Sequence, residues 1–206
     1  MSTPLLVLAS VSPRRQELLR LLGLPFSIDP SRVEEQLPAR TPNPEALAVR
    51  LAEEKAHGVA AHHPGALVIG ADTIVVVDDH VLGKPMDEED AAAMLRALSG
   101  RTHAVITGLA LVDTRQTPWQ VATAAERTEV RFRHLAEEEI RAYVATGEPM
   151  DKAGAYAIQG RGAILIEGIN GDYPNVVGLP LTRLALMLRA AGVVMMGVTA
   201  EEGNCR

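Results

Sequence analysis

Four groups of residues in this chain have types and spacings suited to phosphate chemistry. The first is Ser10–Arg15, Ser-Val-Ser-Pro-Arg-Arg. Ser12 suits the N-cap of a helix, and Pro13 suits its first turn because it has no amide hydrogen to leave unpaired. Such a helix start presents free backbone donors and a positive dipole end, a match for an anion. Arg14 and Arg15 add forked guanidinium donors that fit phosphate oxygens. A capped helix with arginines pointing to solvent is the plainer alternative. The second group is Gly70-Ala-Asp-Thr, set inside the apolar run 67–77. A carboxylate in a buried strand is costly unless it is paired or bound to metal, so Asp72 is a candidate metal ligand or general base. A carboxylate bonded to backbone at a strand end is the competing reading. Glu34 and Glu35 are candidate oxygen ligands for magnesium, though paired glutamates on a loop are commonly solvated.

The third group is Gly83-Lys84-Pro85, where glycine and proline fix a loop and project a lysine. Lys55, closing a Glu-Glu-Lys run, reads by itself as an ordinary exposed helix charge. Arg101 and His103 fall where a helix returns to a strand, a place where ligand contacts are frequent. The fourth group is the segment 146–160, rich in glycine and small residues yet carrying Asp151, Lys152, Tyr156 and Gln159. Glycine density suits close approach of backbone to a ligand. Gln159 offers a donor and an acceptor for the edge of a nucleobase. A chain of turns closing the fold would have the same composition. No GxxxxGK[ST], GxGxxG, paired CxxC or HExxH is present, so phosphate chemistry here uses another arrangement.

These residues need elements to hold them. Leu5–Ala9 reads as a buried strand running into a helix closed by Gly23. Residues 25–44 contain five prolines and several charges, predicting an excursion over the surface. Pro44–Ala61 is a predicted helix with Leu47, Ala48 and Leu51 on one face. Ala66–Val77 is a long strand, with a hairpin turn at 78–80. Asp87 caps a helix to Leu98, ended by Gly100. Strands follow at 103–113 and 123–132, then a helix at 136–145. A strand at 163–169 and a last helix at 181–191, with Pro180 at its start, complete the pattern. The irregular mixture predicts an α/β fold with a mixed central sheet flanked by helices, in one unit spanning residues 1–206.

Composition narrows the function. Of 206 residues 47% are apolar, enough for a full core, but only 3% are aromatic, which argues against a base-stacking surface for single-stranded nucleic acid. The net charge of −6 points the same way. A small anion remains compatible wherever a local basic cluster overrides the global sign. The single cysteine, Cys205, excludes an internal disulfide framework and fits a reducing compartment. No signal peptide and no apolar run long enough to span a bilayer is read, so a cytoplasmic globular protein is expected.

In this order, the motifs resemble the Maf family of nucleotide pyrophosphatases. The resemblance runs from Leu8–Arg15 to Asn175-Val-Val-Gly-Leu-Pro-Leu. Between them stand Gly70-Ala-Asp-Thr, Gly83-Lys-Pro, Leu98-Ser-Gly-Arg-Thr-His, Gly147–Tyr156 and Ile158-Gln-Gly. It implies a fold like that of inosine triphosphate pyrophosphatases, with two lobes around a nucleotide cleft. It also implies a divalent cation, Mg²⁺ or Mn²⁺, a homodimer, and hydrolysis of a nucleoside triphosphate to monophosphate and pyrophosphate. By position, Asp72 matches the family's catalytic proton acceptor. Arg14, Thr73 and Gln159 match residues tied to substrate choice, and Ser10, Arg15, Glu35, Lys55 and Lys84 match polar residues of the cleft. Glu35 and Asp72 are the implied metal ligands. Asp151–Tyr156 with Gln159 looks like the branch acting on dTTP and UTP, as against the branch for 7-methyl-GTP. The family's older name also suggests a regulatory protein of septum formation that binds nucleotide without turnover.

Overall fold

The computed structural model describes residues 4–33 and 36–196. Its element order is β1 (Leu5–Leu8), α1 (Pro13–Arg20), β2 (Phe26–Ile28), α2 (Pro44–Ala60), β3 (Ala66–Val77), β4 (His80–Leu82), α3 (Glu88–Leu98) and β5 (Thr102–Asp113). Then come β6 (Gln120–Phe132), α4 (Glu137–Val144), β7 (Ile166–Asn170), α5 (Tyr173–Val177) and α6 (Leu181–Ala190). Short 3₁₀ turns at Glu148–Asp151, Ala153–Ala155 and Arg161–Leu165 join α4 to β7.

The strands form one seven-stranded sheet in the order β2-β1-β3-β5-β6-β7, with β4 also paired to β3. The β1–β2 and β1–β3 pairs are parallel, and the remaining pairs are antiparallel. The expected mixed sheet flanked by helices is thus what the sequence builds. The turn at Asp78 and Asp79 has φ of 47° and 63°, the left-handed pair that a two-residue hairpin requires. Two expectations need correction. Residues 163–165 belong to a 3₁₀ turn and the strand starts only at Ile166, and α1, which begins at Pro13 behind its Ser12 cap, ends at Arg20, short of Gly23. Among the described residues, no helix is long and apolar enough to cross a membrane.

The apolar pattern of the long strands breaks at one level. On one face of β3, Leu67, Ile69 and Ala71 join a core cluster with α1 and α6, while Val75 and Val77 join another with α3 and α4. Thr73 lies between them. Its partner on β5, Thr107, likewise separates Leu109 and Leu111 from Val105. On the opposite face α2 covers the sheet, and its apolar contacts form two further clusters. Between those lie Gly70, Asp72 and Gly108. A Cβ on Gly70 would meet the Ala52 carbonyl oxygen at 2.1 Å, and one on Gly108 would meet that of Ala48 at 2.1 Å. These two glycines let the α2 backbone lie directly on the strands. The two clusters on the α1 side are the cores of two lobes, with the polar level between them.

The β3 edge that faces β1 is also interrupted there. β1 pairs with Ala66–Ile69 and β4 with Val75–Val77, so no described strand pairs with Gly70–Ile74 on that side.

Candidate active site

A cleft of about 790 Å³ opens at this interruption, and Ser10, Arg14, Arg15, Lys55, Asp72, Thr73, Lys84 and Gln159 all line it. Residues drawn from five separate stretches of sequence therefore converge on one site. Glu35, expected beside Asp72 as a metal ligand, lies outside the described residues, as does Glu34.

The loop leaving β1 forms one wall. Ser12 caps α1 as predicted, its Oγ accepting from the Arg15 amide at 3.5 Å. Ser10 is buried, and its Oγ accepts from the Ser12 amide at 3.2 Å and from Arg15 Nη1 at 3.4 Å. Arg15 also donates through Nε to the Gly178 carbonyl at 2.9 Å and through Nη2 to Thr73 Oγ1 at 3.1 Å. Its Nε, Nη1 and Nη2 are thus all engaged with described residues, and the residue bolts β1, β3 and the end of α5 together. Gly178 has φ +126°, a conformation that favours glycine. Arg14 has no hydrogen bond or ion pair with any described residue, and its charge is felt across the cleft by Tyr143 and Asp151.

The hydrogen bonds continue below Thr73. Thr73 and Thr107 hydroxyls are 2.9 Å apart, and Thr107 donates to the Asn175 carbonyl at 3.3 Å. Since Thr107 gives its proton onward, Thr73 donates to Thr107 while accepting from Arg15. The fully buried Asn175 side chain donates to the Val105 carbonyl at 3.1 Å and to Thr128 Oγ1 at 2.9 Å. Asn175 stands in the sequence only as one letter of a motif, and nothing about its spacing reveals it as a buried support beneath the site.

On the α2 face, Lys55 Nζ and Asp72 Oδ1 form an ion pair, with side chains 11% and 4% exposed. Lys55, which by its local run alone reads as an ordinary helix charge but by resemblance as a cleft residue, is buried and lines the cleft, and α2's close approach at Gly70 and Gly108 is what brings it to the carboxylate. Two charges in so enclosed a place need each other, since either alone would be strongly unfavourable.

The far wall comes from the 3₁₀ segment. Lys84 is exposed on its loop, which is held when the Gly154 amide donates to the Gly83 carbonyl at 3.0 Å. Lys84 has no hydrogen bond or ion pair with a described residue, whereas Lys152 pairs with Asp151 and reaches the Glu148 carbonyl at 3.3 Å. Burial pushes the Asp151 carboxyl up, but Lys152 and Arg14 with a backbone hydrogen bond together hold the group below its ordinary value. The glycines here serve the chain more than a ligand. A Cβ on Gly154 would crowd Val75 at 3.0 Å, and one on Gly160 would meet Glu148 Oε2 at 2.7 Å.

Not every candidate reaches the cleft. Arg101 pairs with Asp78 on the surface. His103 is buried in an edge-to-face cluster with Phe132 and Tyr156, its Nε2 2.8 Å from the Tyr156 hydroxyl.

Among the described residues, no three His, Cys, Asp or Glu side chains are placed to enclose a cation. Among the described residues the cleft offers one buried carboxylate, Asp72, in a lining that also carries basic groups suited to phosphate. That donor set fits magnesium held partly by substrate oxygens and water, which is how this cation is commonly bound.

The family model described as Maf-like protein matches residues 5–191. The chain belongs to the Maf family. Its Maf relatives include proteins named dTTP/UTP pyrophosphatase from Moorella thermoacetica (57% identical, covering 93% of this chain and 97% of the relative) and from Symbiobacterium thermophilum (55%, 91% and 94%). A third, from Geobacillus sp., is 52% identical over 91% of this chain and 98% of its own. Among solved structures the chain is similar to a nucleoside-triphosphatase / dITP/XTP pyrophosphatase from Mycobacterium abscessus. That likeness has 18% identity and a TM-score of 0.43, covering 91% and 95% of the two chains, and is too distant to bear on activity.

Proposed function

We propose that this Maf protein hydrolyses dTTP and UTP to the monophosphate and pyrophosphate. The observation that carries the reading is the set of cations without partners among the described residues, Arg14 and Lys84, lining one cleft with the buried Lys55–Asp72 pair. Such groups suit a polyphosphate whose charge grows on cleavage. Substrate identity is supported by the names of relatives at 50–57% identity.

In the proposed mechanism the triphosphate lies along the start of α1, with Arg14 and Lys84 on its oxygens and Arg15 holding the loop beneath it. Lys55 orients the Asp72 carboxylate. Asp72 accepts a proton from water as the water oxygen bonds to the α-phosphorus, and the bond to the bridging oxygen breaks to release pyrophosphate. Asp72, the substrate phosphates and Glu35 would hold Mg²⁺ or Mn²⁺, which when bound supplies Lewis-acid stabilisation of charge. Gln159 meets the base. A homodimer in the cytoplasm completes the proposal.

The test is a pyrophosphate-release assay with magnesium or manganese over dTTP, UTP, CTP, GTP, ITP and 7-methyl-GTP. Asp72→Asn should lower turnover of dTTP and UTP by about 10³-fold. An Asp72→Asn protein with full activity would overturn the assignment of that residue. Turnover by the wild type confined to another base would overturn the substrate. Binding without any turnover would favour a regulatory role.

A further inference from the structure

Glu148 takes no part in the mechanism above, yet it is the most heavily used side chain of the far wall. It lies just beyond the left-handed Gly147 that ends α4, and its own amide is held by Thr146 Oγ1 at 3.2 Å. Its Oε2 accepts from the Arg161 amide at 3.0 Å. Its Oε1 accepts from the Gly162 amide at 2.9 Å and from the Tyr143 hydroxyl at 2.9 Å. Tyr143 Oη in turn accepts from the Ala157 amide at 3.2 Å. The other described carboxylates of the cleft, Asp72 and Asp151, are each paired with a lysine. Glu148 spends its charge on backbone.

These four bonds have a simple geometry. Ala157 precedes Gln159 by two residues, and Arg161 and Gly162 follow it by two and three. The arc that carries Gln159 is therefore hung at both ends from one carboxylate and one phenol, while the Gln159 side chain itself is exposed in the cleft and bonded to no described residue. Gly160 passes so close to Glu148 that a Cβ there would push the carboxylate aside, and its φ of +103° disfavours a side chain as well. A group that reads a base by hydrogen bonds discriminates only if its own position is fixed.

We infer that Glu148, acting with Tyr143, is the positioning residue that sets which nucleobase the cleft accepts, by fixing the arc 157–162 around Gln159. The inference rests on the proposal that Gln159 meets the base. Glu148→Gln keeps the size of the side chain but places an amide NH₂ opposite a backbone N–H, so one of the two bonds that hold the 161–162 end of the arc is lost. Tyr143→Phe removes the tie to Ala157 and the hydroxyl bond to Glu148 Oε1, but leaves the carboxylate with its two backbone bonds. Gly160→Ala disturbs the same arc from within.

The experiment measures kcat and KM of the full-length wild type and the three variants on dTTP, UTP, CTP, ATP and GTP. In Glu148→Gln, KM for the preferred pyrimidine should rise by about tenfold, and its kcat/KM advantage over the other bases should shrink by a similar factor. Loss of kcat should be the smaller effect. Tyr143→Phe and Gly160→Ala should move preference in the same direction, and Tyr143→Phe decides the matter if Glu148→Gln does not fold. A parallel fall for every nucleotide with the preference intact would overturn the inference, as would wild-type constants in all three variants. Calorimetric binding of dTMP, UMP, CMP and GMP gives the same preference without turnover. A chain that binds with a base preference set by Glu148 yet cleaves nothing would sink the hydrolase reading and leave this one standing.

Discussion

At the start of α1, Arg15 gives donors to Ser10, Thr73 and Gly178, while Arg14 gives none to any described residue. Substituting each by alanine should therefore produce opposite signatures. Arg15→Ala removes bonds between three elements and should cost about 1–3 kcal/mol of stability, with activity lost alongside. Arg14→Ala should leave stability within about 0.5 kcal/mol of wild type and lower kcat/KM for dTTP by about 10²-fold. Chemical denaturation beside steady-state kinetics checks both. Equal losses of stability in the two variants would show that the division of labour is wrong. The sequence presents the arginines as equivalent phosphate ligands. Nothing in an Arg-Arg pair tells which one turns inward, because the carbonyl that accepts from Arg15 lies 163 residues away.

The long elements were legible because each has a clean apolar period and its own stop signals. The helix at 44–60 starts at an Asn43 cap and the one at 88–98 at an Asp87 cap, and the 66–77 and 102–113 strands are nearly unbroken apolar runs. What stayed hidden has little local signal. β2 is three residues long and pairs in parallel with β1 through the intervening α1; α5 is little more than one turn, with Pro174 in it; and the 3₁₀ segment owes its path to Glu148 and Tyr143, read in the sequence as one letter of a motif and one residue of a helix. The same scale explains how Lys55 meets Asp72. Its position on α2 depends on two bare glycines beneath the helix, and Gly108→Ala would place a methyl where the Ala48 carbonyl stands. That overpacking should lower Tm by roughly 3–10 °C. Because it lifts the helix that carries Lys55, activity should fall more than the loss of folded protein explains. Calorimetry beside kcat measured well below Tm checks this, and an unaffected kcat would mean that the pair tolerates movement of α2.

Taken as a whole, the molecule has one buried histidine whose charge state is tied to folding. Burial lowers the pKa of His103 to about 4, against 6.5 for a free side chain. Between those values the unfolded chain binds a proton that the folded chain refuses, so stability should rise with pH across this window and decline as pH falls from 6.5 to 4. The slope approaches about 1.4 kcal/mol per pH unit in mid-window. The surface carboxylates Glu137 and Glu139 sit at about 2, held down first by hydrogen bonds from Arg96 and Arg133 respectively. Their contribution is present above the ordinary carboxylate value of 4.5 and fades below it, so the two effects occupy different pH ranges. Urea unfolding from pH 7 to 4 should show the histidine slope, and His103→Gln should flatten it. An unchanged slope would place the proton elsewhere.

The interruption in β3 between Ile69 and Val75 has a consequence for the life of the protein outside its turnover. In the antiparallel ladder with β5, successive residues turn their backbone groups to opposite edges. Ile69 turns its carbonyl towards β1, where the Ala9 amide donates to it at 2.9 Å, so Ala71 and Thr73 turn theirs towards the interruption. The centre of the sheet is thus a seam that no described strand closes, and whatever enters the cleft lies along it. A nucleotide that binds there would stabilise the folded chain, since any ligand of the folded state draws the unfolding equilibrium back by mass action. When nucleotide runs short, the starved form is the one that opens, and proteolysis would clear it first. Abundance of the protein would then follow the supply of its substrate with no separate regulator.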